Sequence, residues 1–323
     1  MNKLTKIGLT ALASSLIATS AFAASMSVTG GADISMVNES NADNGNSFSS
    51  GDSLNFSASG ELDNGMVITS NVEIDAGNYD DRSVVIAFPE MGTLKFQTSG
   101  DTAMSAVDDV MPTAYDASWD VLGSTTTATA TGQALKSAPI GGFSQNNNFF
   151  YTAPELMEGL AVNLSYTPSN KGTNATTARP DGSVSYALAY TGVEGLTIGY
   201  ATDDNGKKGT SKIENETMYA KYAFGSFTVG VQSSEADGGS TDDDDEFSAH
   251  GITYQLTDDL TIGYHASEYQ FGDKSADQET KSVQAAYTMG GMTLGVAMND
   301  HENAAYTQNQ DVKDTVFTVE MAF

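Results

Sequence analysis

Five aspartates, Asp101, Asp108, Asp109, Asp116 and Asp120, fall in one irregular interval, 100–145, together with Tyr115 and Trp119. Carboxylates gathered in this way can raise cation concentration in a confined space, ligate a hard cation, or move protons in a catalysed reaction. Catalysis needs a nucleophile or an activated water beside a base. The histidines are His250, His265 and His301, and the chain has neither Gly-x-Ser-x-Gly nor His-Glu-x-x-His to organise one. Ligation makes Asp108 and Asp109 the candidate holders of a structural Ca²⁺, because hard cations take clustered oxygens, although no fixed ligand spacing is visible. No motif requires a cofactor. The run Asp242-Asp243-Asp244-Asp245 lacks the Gly and the spaced ligands of a calcium loop, so it reads as a solvated charge run.

The elements that would position these groups are strands. From Met26 to Met36 apolar or small residues take even numbers and polar ones odd numbers, the period of a β-strand with both faces used. Leu54, Phe56, Ala58 and Leu62 oppose Ser53, Asn55, Ser57, Ser59 and Glu61, and Asp63-Asn64-Gly65 makes a tight turn. The return strand sets Met66, Ile68, Val72 and Ile74 against Thr69, Asn71, Glu73 and Asp75. A row of carboxylates in a dry core would cost several kcal/mol per unpaired charge, on the order of the burial penalty. A water-filled interior removes that cost.

The parity of 82–88 is not fixed by the sequence, because Val84, Val85 and Ile86 run together. Leu94 and Phe96 alternate with Lys95 and Gln97, which points Lys95 inward; Lys95 and Arg82 are then the candidate counter-charges at a constriction lined by the aspartates. Interval 100–145 exceeds the length of about 12–15 residues beyond which loops are functional or disordered. It is expected to fold into the lumen and narrow it.

After this interval one unit repeats: a short turn, an amphipathic strand and a polar loop. The strands Leu196-Thr197-Ile198-Gly199-Tyr200, Phe227-Thr228-Val229-Gly230-Val231, Leu260-Thr261-Ile262-Gly263-Tyr264 and Met292-Thr293-Leu294-Gly295-Val296 are closely similar. Long polar stretches, among them Asn38 to Asp52, Ser233 to Asp245 and Glu302 to Gln310, are expected as loops at the opposite rim. Short turns at one rim and long loops at the other are the asymmetry of a membrane barrel, here of about sixteen strands. Most tyrosines fall on the apolar parity; Tyr219 is the clearest inward one.

Composition agrees with this architecture. Lys3 and Lys6 precede an apolar run and the small-residue site Ala21-Phe22-Ala23, so 1–23 reads as a signal peptide and 24–323 as the barrel. Loss of the two lysines takes the net charge from −28 to −30. No run of about 18 apolar residues remains, so a membrane protein of this kind can only be a closed barrel. There is no cysteine, which leaves stability to closure and burial. So negative a chain, with few and scattered basic residues, is not a nucleic-acid binder.

With these features together, the chain resembles the Gram-negative general porins, in particular the alphaproteobacterial, Rhodobacter-like family. The resemblance is carried by the signal ending Ala21-Phe22-Ala23, the hairpin series, Gly92-Thr93-Leu94-Lys95-Phe96 leading into the acidic interval, and the terminal Phe323 on an alternating strand. It implies an outer-membrane β-barrel of sixteen strands with a third loop folded into the pore. It also implies a homotrimer among outer-membrane lipids, passive diffusion of small hydrophilic solutes and ions, and a role for Phe323 in closure and assembly. The family's constriction sets several arginines against the loop carboxylates. Here Arg82 and Arg179 are the only arginines, which weakens the usual transverse field and leaves size and ion selectivity open; the cation preference is expected from the carboxylates. A solute-specific channel, or a barrel enzyme or adhesin, are the alternative functions.

Overall fold

Residues 25–39, 46–75, 77–117, 140–142, 146–169, 182–206, 212–238, 244–272, 274 and 276–323 are described by a computed structural model. The signal peptide, Trp119, Asp120, Arg179 and Asp242-Asp243 lie outside the described residues.

Period-two alternation is realised in sixteen strands: β1 (Ser25–Glu39), β2 (Asn46–Glu61), β3 (Val67–Asp75), β4 (Asn78–Phe88), β5 (Gly92–Ser99), β6 (Asn148–Thr152), β7 (Leu160–Thr167) and β8 (Ser183–Val193), then β9 (Leu196–Asp204), β10 (Ile213–Phe224), β11 (Phe227–Gly238), β12 (Asp245–Gln255), β13 (Leu260–Gln270), β14 (Gln278–Met289), β15 (Met292–Glu302) and β16 (Val312–Ala322). Each pairs antiparallel with its neighbours in sequence, and β16 pairs with β1 to close the barrel. Closure leaves no edge, which lipid requires because no water is there to satisfy free backbone groups. At the seam, the Gly30 amide donates to the Phe323 carbonyl at 2.7 Å and the Phe323 amide donates back to Gly30 at 2.9 Å. A Cβ at Gly30 would lie 2.7 Å from the Ser53 carbonyl oxygen and 3.1 Å from the Phe323 ring, which is why glycine stands there.

The two faces of each strand meet different surroundings. Ile34, Phe56, Val231, Val283, Met298 and Phe317 are exposed on the outer surface, as an acyl-chain environment demands. The inner rows hold Ser35, Thr217, Gln232, Thr280 and Ser282, joined across strands by bonds such as Ser35–Ser49 at 2.5 Å and Thr217–Ser234 at 2.7 Å. Short connections cluster at one rim as expected. Gly65 has φ of 78° in the turn after β2, and Gly225 and Gly290 have φ of 58° and 65° in the tight turns after β10 and β14.

At the other rim the strands run further than expected. Asn46–Asp52 and Ser233–Gly238 belong to β2 and β11, not to loops. In β11 the alternation persists, with Ser234 and Ala236 buried and Glu235 and Asp237 exposed. It carries no apolar outer row, so hydropathy alone hides it.

Candidate functional site

Past Gly100 the chain leaves β5 and lies along the inner wall. A 3-10 turn, Ala103–Val107, starts there, capped by Thr102, whose hydroxyl accepts from the Met104 amide at 3.2 Å. The Ala103 amide donates to both Ser165 and Ser185, each at 3.1 Å, so β7 and β8 take up the start of the turn. At the root of the loop, Gln97 donates to the Asp101 carbonyl and, at 2.6 Å, to Asn148 Oδ1. On the return, Asp203 accepts from the Gly142 amide at 2.8 Å, and Thr217 donates to the Ile140 carbonyl at 3.2 Å.

The wall makes room for this passage by using small residues. Met104, Val107 and Met111 are buried against a surface that includes Ala187, Ala201, Ala236 and Ala249. Burying each such side chain stabilises by about 1.5–3 kcal/mol. Further along, a Cβ at Gly230 would lie 2.5 Å from Pro112 Cδ, and one at Gly263 would lie 3.0 Å from the Ala114 amide nitrogen. The Tyr115 ring sits where a side chain on Gly295 would go. Three of the repeated strands thus carry, at the same position, the glycine that seats the loop. The repeat was visible in the sequence; its purpose was not.

Among the expected constriction residues, Asp101 and Asp109 are exposed, and Asp108 and Asp116 are partly buried, all on the inserted loop. Burial raises Asp108 to about 6, with Asp109 and Asp101 adding to the shift. Burial also raises Asp116 to about 6, against the bond it accepts from the Ala117 amide at 2.8 Å and with Asp109 and Glu320 adding to it. Asp116 and Tyr115 share a cavity of about 580 Å³ with wall residues that include Asp33, Glu73 and Glu320. None of these three was named as a constriction residue from the sequence, although Glu73 was placed on an inward carboxylate row. The signal available was their inward parity on β1, β3 and β16.

Lys95 does point inward on β5, its ammonium 6.0 Å from the centroid of the Phe150 ring and close enough to Asp81 to act on its charge. Arg82 does not. It pairs in register with Val72, on the outward row of β3, and lies 5.7 Å from the centroid of the exposed Tyr79 ring. Ser83 beside it faces in, where it accepts from Asn71 at 3.4 Å. Alternation therefore sends Arg82 outward and Asp81 inward. The apolar triplet 84–86 had concealed that parity. Lys95 and Lys221 are the lysines on inward positions among the described strand residues.

Other calls are settled by burial. Tyr219 is inward, but it is covered and packs over Gly199, so no solute can stack on it. His265 faces inward and is buried. His301 Nδ1 lies 2.9 Å from Thr280 Oγ1 and its Nε2 lies 3.0 Å from Asp314 Oδ2. That chain of nucleophile, base and acid is sealed, with His301 and Thr280 at 0% exposure, and offers a substrate no access. Among the described residues, no three His, Asp or Glu side chains converge as a metal-ligand set.

A closed sixteen-stranded barrel, greasy outside and polar within, that carries an acidic segment along its inner wall is an outer-membrane channel protein. The family model described as Gram-negative porin matches residues 8–322, and the chain belongs to that family. It is accordingly a porin of the bacterial outer membrane. No curated protein sequence matches the chain. Solved structures share the fold. The anion-selective porin from Comamonas acidovorans has a TM-score of 0.72 at 14% identity, over 93% of this chain and 100% of that one. Salmonella typhi OmpF in complex with daunomycin scores 0.69 at 13% identity, over 93% and 98%. A triple mutant of the Rhodopseudomonas blastica porin scores 0.64 at 14%, over 92% and 100%.

Proposed function

We propose that this porin passes small hydrophilic solutes and ions by passive diffusion, prefers cations, and works as a homotrimer in which the inserted loop sets the size limit. The observation that carries this reading is the placement of carboxylates on both sides of the cavity: Asp116 on the loop, and Asp33, Glu73 and Glu320 on the wall. No bond is made or broken. A hydrated lumen lowers the barrier for polar solutes, and the carboxylates set the ionic bias. Even at the dielectric of bulk water, a cation about 4 Å from one carboxylate gains about 1 kcal/mol, roughly a fivefold enrichment.

The expected Ca²⁺ at Asp108 and Asp109 lacks a third converging carboxylate among the described residues. The proposed reading therefore has hydrated, exchanging cations at this pair. The outward apolar rows support contact with outer-membrane lipids or with a neighbouring subunit. Phe323, whose main chain closes the barrel, is proposed as a determinant of insertion. Its deletion is expected to lower the yield of inserted trimer, and an undiminished yield would remove that role.

General diffusion is tested by conductance in planar bilayers. Current that rises in proportion to salt, with no block by added sugars or peptides, is the expected result. Saturation and block by one solute would replace the general reading with a solute-specific one.

A further inference from the structure

On the reading that the inserted loop narrows a conducting lumen, we infer that Gln284 is the positioning residue that fixes the aperture, acting through Tyr115 and Asp116. Gln284 lies on the inward row of β14 at 3% exposure. In register it is flanked by Gly263 on β13 and Ala297 on β15, whose small side chains leave its amide uncovered toward the loop. Its Oε1 accepts from the Tyr115 amide at 3.1 Å, and its Nε2 donates to the Asp116 carbonyl at 2.5 Å. A second donation, to Ser282 Oγ at 3.0 Å, fixes which end of the amide carries the nitrogen.

One side chain thus gives the loop what a neighbouring strand would give it, a donor and an acceptor side by side. Buried backbone groups left without such partners cost about 1–3 kcal/mol each, so the loop stays where both are met. Gln232, on the inward row of β11, also reaches the loop, with its amide donating to the Val107 carbonyl at 2.6 Å, but Val107 is not among the residues that line the cavity. Gln284 holds the residue pair that does line it. A shift of the loop main chain at Tyr115 and Asp116 toward or away from Asp33 and Glu320 must break both bonds to Gln284.

The amide chemistry provides the test. Leucine at 284 keeps the bulk and loses donor and acceptor, whereas a protonated glutamic acid keeps one donor and one acceptor in the same places. Single-channel conductance of the purified full-length protein is compared at about pH 5, within reach of carboxyl protonation for a buried glutamic acid, with the unsubstituted channel at the same pH as reference. Gln284→Leu is expected to depart from the reference by about twofold, as a displaced constriction lining does, and Gln284→Glu to match it. Native conductance in Gln284→Leu would overturn the assignment. So would a Gln284→Glu channel that departs as far as Gln284→Leu, because the effect would then follow from packing and not from the paired hydrogen bonds. Should Gln284→Leu fail to insert, Gln284→Glu carries the test through pH: at about pH 9 its ionised carboxylate cannot donate to the Asp116 carbonyl, and its conductance is expected to depart from the unsubstituted channel at that pH. A departure already present at about pH 5, or a match at both pH values, would overturn the assignment. A native protein that conducts nothing would remove the channel reading, and this assignment with it.

Discussion

From β7 to β15 the inner wall carries the loop, with Ala187, Ala201, Ala236, Ala249, Gly230, Gly263 and Gly295 where it packs closest and Gln232 and Gln284 where it is hydrogen-bonded, whereas from β16 through β5 the wall keeps Asp33, Asn55, Ser57, Thr69, Asn71, Glu73 and Glu320 facing the lumen. Both arcs obey the same period-two rule, and both are polar enough not to face lipid. They differ in what fills the space beside them. One arc is packed like a protein core against Met104, Val107 and Met111; the other borders open volume beside Asp116. Inward parity alone therefore does not identify a pore-lining residue. What separates the two walls is what the inward residues touch: alanines and glycines at the closest approach of the loop on one, and the carboxylates Asp33, Glu73 and Glu320 beside open volume on the other.

The sharpest way to break this comparison is to put bulk where the loop sits. Gly295→Leu would overpack against the Tyr115 ring and is expected to cost about 1–3 kcal/mol, seen as a lower temperature for heat-induced loss of the folded barrel. Ser57→Leu, on the open arc, is expected to stay within about 0.5 kcal/mol. Equal losses at the two positions would erase the distinction between the arcs.

Charge on the open arc gives the next effect. Asp116→Asn combined with Glu320→Gln is expected to lower cation preference in reversal-potential measurements, because it removes one carboxylate from each side of the cavity. An unchanged reversal potential would place ionic selection elsewhere.

Acidification should follow the same direction with a smaller amplitude. Asp108 and Asp116 are raised to about 6, so both are largely ionised at pH 7.5 and protonated as pH falls through 6. Cation preference is therefore expected to decline between about pH 7 and pH 5. The linked effect on stability has the opposite sense. Because the folded values lie above the ordinary carboxylate value, ionisation opposes the seated loop above about pH 6, and that opposition is relieved as the pH drops toward the ordinary range.

The smallest effects separate two basic residues. Lys95→Gln removes an inward positive charge and is expected to raise cation preference modestly. Arg82→Gln, on the outer surface beside Tyr79, is expected to leave the reversal potential as it is. A shift with Arg82→Gln equal to that with Lys95→Gln would contradict the outward assignment.

Most of the barrel was legible because apolar residues every second position and Gly or Asn-Gly turns are local signals. The limits of the strands were legible only where the outer row is greasy. Glu235 and Asp237 continue β11 beyond that zone, and nothing apolar marks them. The aspartates of the loop stood out as a cluster, but Asp33, Glu73 and Glu320 are far apart in sequence and meet only when β16 closes on β1. Arg82 was misplaced because three consecutive apolar residues hide the phase of β4. Gln284 carried no sequence signal at all, since its importance depends on which loop backbone faces it.

The central claim is that the lumen is an aqueous path whose opposed carboxylates favour cations. Zero-current potential across a planar bilayer holding the purified protein, under a KCl gradient at neutral pH, tests it most directly. The account predicts stable conductance and a potential of the sign set by K⁺; a protein that conducts nothing, or a potential of the sign set by Cl⁻, would contradict it.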